Sequence, residues 1–340
     1  MRSLRIFQFT PKWRLQAHQK PFPTCTVGKV RTLSTRGAAD ELAFKESFKA
    51  ELPYAFTDTP TSPTYSLPAF QKWFEKDDDN GTFRLSTYLN PYHQWMFPYE
   101  LIKPASRGAE TIALFQDSLS SSQDVIDRSL AEALQSAISE ASPGQQFFQL
   151  HAPLELLIKA LDFNKAQRRK ANPPIQLYIA QSLLPDLPST LQSDVPTPEV
   201  LSRVGRGDIY SSSIWLGTEP TYTPLHRDPN PNLFCQLCSS KAVRLLPPAT
   251  GHELYHRVQM MLRGSGNSRM RSTEMMEGEE RELLYGAVWE TGAEEMEVAD
   301  IQEVTLRAGD ALFIPKGWWH SIKSERSDGN INASVNWWFR

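Results

Sequence analysis

At residue 175 the hydrophobic pattern of this 340-residue sequence changes period. From there on, apolar and aromatic residues fall in short runs mostly bounded by Pro, Gly, Asn or Asp: Gln176 to Gln181, Ser211 to Leu216, Leu233 to Cys238, Ala242 to Leu246, Glu303 to Leu306, Ala311 to Ile314, Trp319 to Lys323 and Asn332 to Phe339. Runs of this length and composition read as strands. So many in one half of a chain predict a mainly β domain with flanking helices, built as a double-stranded β-helix, or jelly roll. Asp328-Gly329 reads as a hairpin joining the last two strands. An insertion of about Gly251 to Asp300 separates the fourth run from the fifth. Its stretch Thr273 to Trp289 is rich in Glu, Met and Leu and is predicted helical, although Gly278 and Gly286 weaken that reading. The methionines Met270, Met275 and Met276 raise two readings of this insertion, a lid over a pocket mouth and a surface element packed by one stripe.

Upstream the pattern is mixed. Thr57 to Ser66 reads as a lead-in loop, Pro68 to Phe74 as a short helix, Asp77 to Gly81 as a turn, and the aromatic stretch Phe83 to Tyr99 as early strands. Ile126, Leu130, Leu134 and Ile138 share one helical face, with Ser120 to Ser122 as candidate caps. Pro153 to Leu161 reads as a further helix, broken by Asn172-Pro173-Pro174. Residues 1–39 carry eight basic residues and no acidic one, which leaves −11 on residues 40–340 out of a net −3. An Arg-rich, acid-free start with Ser and Thr has the traits of a mitochondrial transit peptide, so a matrix location is expected. The sequence thus divides into that segment, an extension over 40–174 and a core over 175–340. No apolar run is long enough for a transmembrane helix, so no membrane partner is expected. The acidic body argues against a DNA-backbone binder. Cys235 and Cys238 lie in a strand-like run without the second pair a zinc site needs, and read as buried thiols.

Two groups of histidines could carry metal chemistry. Thr223-Pro224-Leu225-His226-Arg227-Asp228 sets a His and an Asp two apart, and on an extended segment these share one face. Trp318-Trp319-His320, delivered by the turn and strand from Gly309 to Pro315, offers a second imidazole. Two His and one carboxylate on one side of an octahedral ion leave open positions, the facial triad of non-haem iron(II) oxygenases. The kinase reading of His226-Arg227-Asp228 fails, because Leu233 stands where that loop needs Asn. The rival group, His252-Glu253-Leu254-Tyr255-His256, matches the H-E-x-x-H of zinc proteases. It has no downstream Gly and His at the expected spacing, although a later residue such as Glu274 could serve as third ligand, and it reads better as a surface segment of the insertion. A dicarboxylate chelating an ion at the first group leaves its far carboxylate in the barrel, where it needs a cation and hydroxyl donors. Lys241, Thr223 and Tyr178 can supply them. Trp215, Trp318, Trp319, Trp337 and Trp338 are candidate pocket walls, though core packing alone accounts for most of them.

In order along the chain, Leu177-Tyr178-Ile179-Ala180-Gln181, Thr223 to Asp228, Asn232 to Gln236, Lys241, Leu246-Pro247-Pro248, Gly309 to His320 and Val335-Asn336-Trp337-Trp338 resemble the JmjC/cupin-like hydroxylases. Within that family they are most similar to the asparaginyl hydroxylase that acts on hypoxia-inducible factor. The resemblance covers 175–340 and is only loose over 50–110. It implies Fe(II) held by His226, Asp228 and His320, with 2-oxoglutarate and O2 as co-substrates. It further implies Tyr178, Thr223 and Lys241 at the distal carboxylate of 2-oxoglutarate, and Asn232 and Asn336 near its iron-chelating end. A protein side chain is the expected substrate. A modified RNA nucleoside, or a non-catalytic binding scaffold, is the alternative. Ala180 departs from a polar substrate-holding residue of that hydroxylase, and no dimerisation helix is expected after Arg340, so neither its substrate nor its dimerisation is carried over.

Overall fold

The computed structural model describes residues 31–32, 41–77, 82–103, 108–140, 145–170, 172–204, 206–262, 276–290 and 301–340. The expected transit segment apart from Arg31–Thr32, most of the turn before Phe83, and Glu274, Met270 and Met275 of the insertion lie outside the described residues. In chain order the strands are β1 (Arg31–Thr32), β2 (Tyr54–Phe56), β3 (Phe74–Asp77), β4 (Thr82–Leu85), β5 (Met96–Ile102), β6 (Phe147–Pro153), β7 (Gln176–Leu183), β8 (Ile209–Thr218), β9 (Tyr222–Arg227), β10 (Asn232–Cys238), β11 (Ser240–Leu246), β12 (Gln302–Arg307), β13 (Ala311–Ile314), β14 (Trp319–Ser324) and β15 (Ile331–Phe339). The helices are α1 (Glu41–Lys49), α2 (Pro68–Lys72), α3 (Gly108–Ser120), α4 (Val125–Ser139), α5 (Leu154–Arg168), α6 (Ser189–Asp194), α7 (Glu199–Val204), α8 (Pro248–Leu262) and α9 (Gly278–Trp289). None of them is long and apolar enough to cross a membrane.

The strands form a five-stranded sheet, β1-β12-β11-β14-β9, and an eight-stranded sheet, β2-β13-β10-β15-β8-β7-β5-β6, beside the small β3-β4 pair. From β8 to β15 the chain changes sheet at every connection except β11 to β12, where the insertion departs and returns. This alternation is the double-stranded β-helix expected from the strand pattern. It corrects the Asp328-Gly329 reading, because β14 and β15 lie in different sheets and do not pair. The turn chemistry is real, since Gly329 has φ 76°. The turn is instead a crossover, tied to α5 by Asn164 Nδ2 donating to the Gly329 carbonyl at 3.2 Å.

Alternating side chains feed three apolar layers. Outward residues of the eight-stranded sheet, such as Ile179, Ile214, Val335 and Trp337, join the largest layer beneath α1 to α7. Phe234, Val243, Leu245, Leu306, Leu312 and Ile314 fill the space between the sheets. Leu225 and Trp319 face outward from the five-stranded sheet and pack under α8 and α9. In its described residues, the insertion is therefore a cover on a sheet face rather than a lid, and Met276 is buried. Trp319 and Trp337 face outward into these layers and not into the pocket, because neighbours on a strand point to opposite sides, while Trp318 packs in the layer between the sheets without lining the cavity.

Two local expectations also change. Helix α4 is capped by Asp124, whose carboxylate accepts the Ile126 N–H at 2.9 Å, because α3 ends at Ser120 and the N–H groups of Ser121 and Ser122 bond back to its last turn. Of its predicted apolar face, Leu130 and Leu134 are buried but Ile126 is exposed in the first turn. Both cysteines of β10 are free and buried, and burial pushes the Cys235 thiol up to about 12.

Candidate active site

The site is built where β9 and β14 pair in the five-stranded sheet and face β10, β15 and β8 across the barrel. His226 and His320 are direct cross-strand partners, and their rings lie 4.2 Å apart between centroids. Asp228 follows β9 on the same side. Its carboxylate lies 4.0 Å from His226 Nε2 and 3.6 Å from His320 Nε2. The three side chains present nitrogen and oxygen atoms all within 4.8 Å of one another, the one such convergence of potential ligands among the described residues.

Each imidazole is oriented by the same local contact. His226 Nδ1 lies 2.9 Å from the Pro224 carbonyl, and His320 Nδ1 lies 3.2 Å from the Trp318 carbonyl. A carbonyl only accepts, so each Nδ1 carries the proton and each Nε2 presents its lone pair to the Asp228 side. The backbone of Asp228 is held by Gly317, whose N–H donates to the Asp228 carbonyl at 3.2 Å. This donor set suits a divalent transition metal with open positions.

Behind the carboxylate runs a chain of hydrogen bonds. Trp215 Nε1 donates to Asn336 Oδ1 at 2.6 Å, Asn336 Nδ2 to Asn232 Oδ1 at 3.3 Å, and Asn232 Nδ2 to Asp228 Oδ2 at 3.0 Å. An indole N–H only donates and an ionised carboxylate only accepts, so the two ends fix both intervening amides. Trp215 was proposed as a pocket wall; its role as the fixed donor of this chain had no signal in the sequence.

A cavity of about 250 Å³ opens on these residues. Tyr178, Thr223, Lys241, Trp215 and Trp338 line it together with the three metal-ligand candidates and both asparagines. Lys241 is 3% exposed, and its ammonium donates to Tyr178 Oη and Ser334 Oγ, each at 3.1 Å. It also lies 5.4 Å from the centre of the Phe234 ring. Gly217, the register partner of Tyr178, explains how that ring fits, since a side chain there would enter the space the Tyr178 ring occupies.

Thr223 and His226 both line the cavity although they are three apart, a spacing that a regular strand sends to opposite faces. The ladder shifts register there, so Pro224 and Leu225 together oppose the single residue Ser321. This is a bulge at a proline, which has no N–H to give the ladder. A second shift between Ile179 and Ser182 brings Gln181, at φ 52°, to the cavity three residues after Tyr178. A proline inside a strand was the available signal for the first; nothing in the sequence marked the second.

The rival histidines lie elsewhere. His252, Glu253 and His256 are exposed on α8, which is a helix despite its Pro- and Gly-rich start. Leu254 and Tyr255 turn inward, and Tyr255 lies 5.2 Å from Trp319 between ring centres. Glu253 pairs with Arg257 one turn on.

Residues 103–340 match the family described as cupin-like domain. The chain is 29% identical over 188 residues to lysine-specific demethylase JMJ30 of Arabidopsis thaliana, covering 54% of this chain and 38% of that relative. It is 29% identical over 164 residues to lysine-specific demethylase 8 of Danio rerio, with 48% and 36% covered. It is 27% identical over 188 residues to Jumonji C domain-containing protein 5 of Drosophila melanogaster, with 54% and 42% covered. The matched segments thus span less than half the length of each of these relatives.

Proposed function

The chain belongs to the cupin-like domain family, and from that premise we propose that it is a JmjC-type, Fe(II)- and 2-oxoglutarate-dependent dioxygenase that hydroxylates a protein side chain. One observation carries the reading: two imidazoles, a carboxylate and a buried ammonium face a single cavity. His226, Asp228 and His320 would hold the iron. When bound, Fe(II) supplies the redox chemistry with O2 for which side chains have no equivalent.

The remaining work belongs to the chain itself. Lys241, Tyr178 and Thr223 bind the distal carboxylate of 2-oxoglutarate. The ammonium is already held by Tyr178 and Ser334, so the incoming carboxylate gains charge-assisted hydrogen bonds without first ordering the lysine. Asn232 and Asn336, with amides pinned by Trp215 and Asp228, stand near the chelating end. Trp215 and Trp338 wall the cavity and limit water beside the reacting carbon.

The relatives named as lysine-specific demethylases support a second reading, removal of a lysine N-methyl group. The chemistry is continuous with the first, because hydroxylating an N-methyl carbon gives a hemiaminal that loses formaldehyde. The resemblance to an asparaginyl hydroxylase favours stable hydroxylation, and the acidic body disfavours an RNA substrate. We include residues 1–39 as a mitochondrial transit peptide preceding an extension over 40–174 and a core over 175–340. A C-terminally tagged chain found only in the cytosol would overturn the matrix location.

The deciding experiment incubates purified protein with Fe(II), 2-oxoglutarate, O2 and candidate protein substrates, and measures succinate. Iron-dependent succinate that disappears in His226→Ala is the expected result. Mass spectrometry of the substrate separates an added oxygen from a lost methyl group. Bound iron with no keto-acid binding and no succinate would leave a binding scaffold and sink the enzyme reading. Activity lost in Glu253→Gln but retained in His226→Ala would instead point to α8.

A further inference from the structure

The bulge that turns Thr223 into the cavity is held from outside the barrel. Opposite Pro224 and Leu225, the strand ladder is replaced by a side chain: Ser321 Oγ donates to the Thr223 carbonyl at 2.9 Å. The same oxygen accepts the indole N–H of Trp289 at 2.9 Å. A tryptophan N–H can only donate, so Ser321 is the acceptor in this contact and its own proton is left for the Thr223 carbonyl, with the Tyr222 hydroxyl as a further neighbour. Ser321 is 0% and Trp289 8% exposed, so water does not readily substitute for either bond.

Trp289 is the last residue of α9, the second described helix of the insertion. Its ring is gripped by two cations of the sheet below: Arg244 lies 4.7 Å and Lys323 4.4 Å from it. Arg244 also donates to the Val288 carbonyl and, at 2.5 Å, to Glu303 on β12. Leu225, the outward residue of the bulge, is fully buried in the same apolar layer as α9. The end of α9, Ser321 and the β9 bulge therefore form one packed unit that reaches a cavity-lining residue.

We propose that Trp289 and Ser321 are positioning residues, through which the insertion sets the placement of Thr223 and hence the affinity of the cavity for a dicarboxylic keto acid. This rests on the reading of the cavity given above. The end of α9 is then part of the co-substrate site without lining the cavity, and changes in its docking alter keto-acid affinity more than metal affinity.

The test uses the full chain loaded with Mn(II), which permits binding without turnover. Trp289→Phe keeps the ring between Arg244 and Lys323 and removes only the N–H; Ser321→Ala removes the relay. Calorimetry reads 2-oxoglutarate affinity, electron paramagnetic resonance reads Mn(II) affinity, and thermal melting reads the fold. Loss of one buried neutral hydrogen bond predicts 2-oxoglutarate binding weakened roughly three- to tenfold in Trp289→Phe. Mn(II) affinity is expected to hold within about twofold, with Ser321→Ala at least as weak toward the keto acid. His252→Ala, on the solvent side of α8, is expected to match the unsubstituted chain. Unchanged keto-acid affinity in both relay variants overturns the inference, as does an equal fall in keto-acid and Mn(II) affinity, which marks general loosening. If the unsubstituted protein binds Mn(II) but no keto acid, the reading of the cavity itself fails, and the inference with it.

Discussion

Asp228 shows how much of a site is decided by groups that never reach the ion. Its carboxylate is aimed by Asn232, Asn232 by Asn336, and Asn336 by the donor-only indole of Trp215. Trp215→Phe keeps the aromatic wall but lets the Asn336 amide turn over, which releases the chain from its far end. Partners behind metal ligands typically contribute 10- to 100-fold in affinity. Since Trp215 acts through two intermediaries, we expect metal affinity to fall about tenfold, the low end of that range, measured by Co(II) titration. Lys241 predicts a different signature. Lys241→Met removes the ammonium that the distal carboxylate needs, so 2-oxoglutarate binding should weaken by at least about thirtyfold while Co(II) titration stays near normal. Equal loss in both titrations would mean that Lys241 holds the barrel rather than the keto acid.

Among the elements, α8 and β9 depart most from what spacing suggests. The H-E-x-x-H pattern does sit on a helix, but α8 lies on the back of β14 with both histidines turned to solvent. Gly251 explains the close docking, because a Cβ there would collide with the Trp319 ring. That ring is fully buried and cannot swing away. Gly251→Ala should therefore destabilise the fold by about 1–3 kcal/mol, despite alanine's higher helix propensity, as read by urea unfolding. Since Trp319 precedes His320 on β14, metal affinity is expected to fall in the same variant. In β9 the order of residues alone does not give their facing. His226 and Asp228 share a side by ordinary alternation, whereas Thr223 joins them only because Pro224 breaks the ladder.

Across the whole molecule, the two sheets are held at the end away from the metal-ligand candidates by a buried polar cluster. Glu219, between β8 and β9, accepts from Ser239 Oγ at 2.6 Å and from Asn332 Nδ2 at 2.8 Å. Burial first, and the nearby Asp328 carboxylate second, push its carboxyl up from 4.5 to about 7. A carboxyl that titrates higher in the folded state stabilises the fold below its unfolded value and loses that contribution as pH rises. Folding stability should therefore decline between about pH 4.5 and 7 on account of Glu219. Glu219→Gln should flatten that segment of the pH profile of the unfolding midpoint; an unchanged slope would assign it to other groups.

The jelly-roll class, eight of the nine strands from β7 to β15 and the candidate ligands were legible in the sequence, because strand period, turn residues and the His-x-Asp spacing are local properties; β9, with Pro224 inside it, was not among the strand runs. Sheet membership was not legible either. Asp328-Gly329 turns the chain as its residues require, yet β14 and β15 part company because their outward faces bury in different apolar layers. The same non-local choice sends Trp319 outward beside an inward His320 and makes the described part of the insertion a cover rather than a lid. Sequence by itself determined which residues could alternate across a sheet and which could donate to an ion. Only the tertiary structure decided which face met the cavity and which groups stood behind the ligands, because packing selects among registers that local propensity leaves equal in energy.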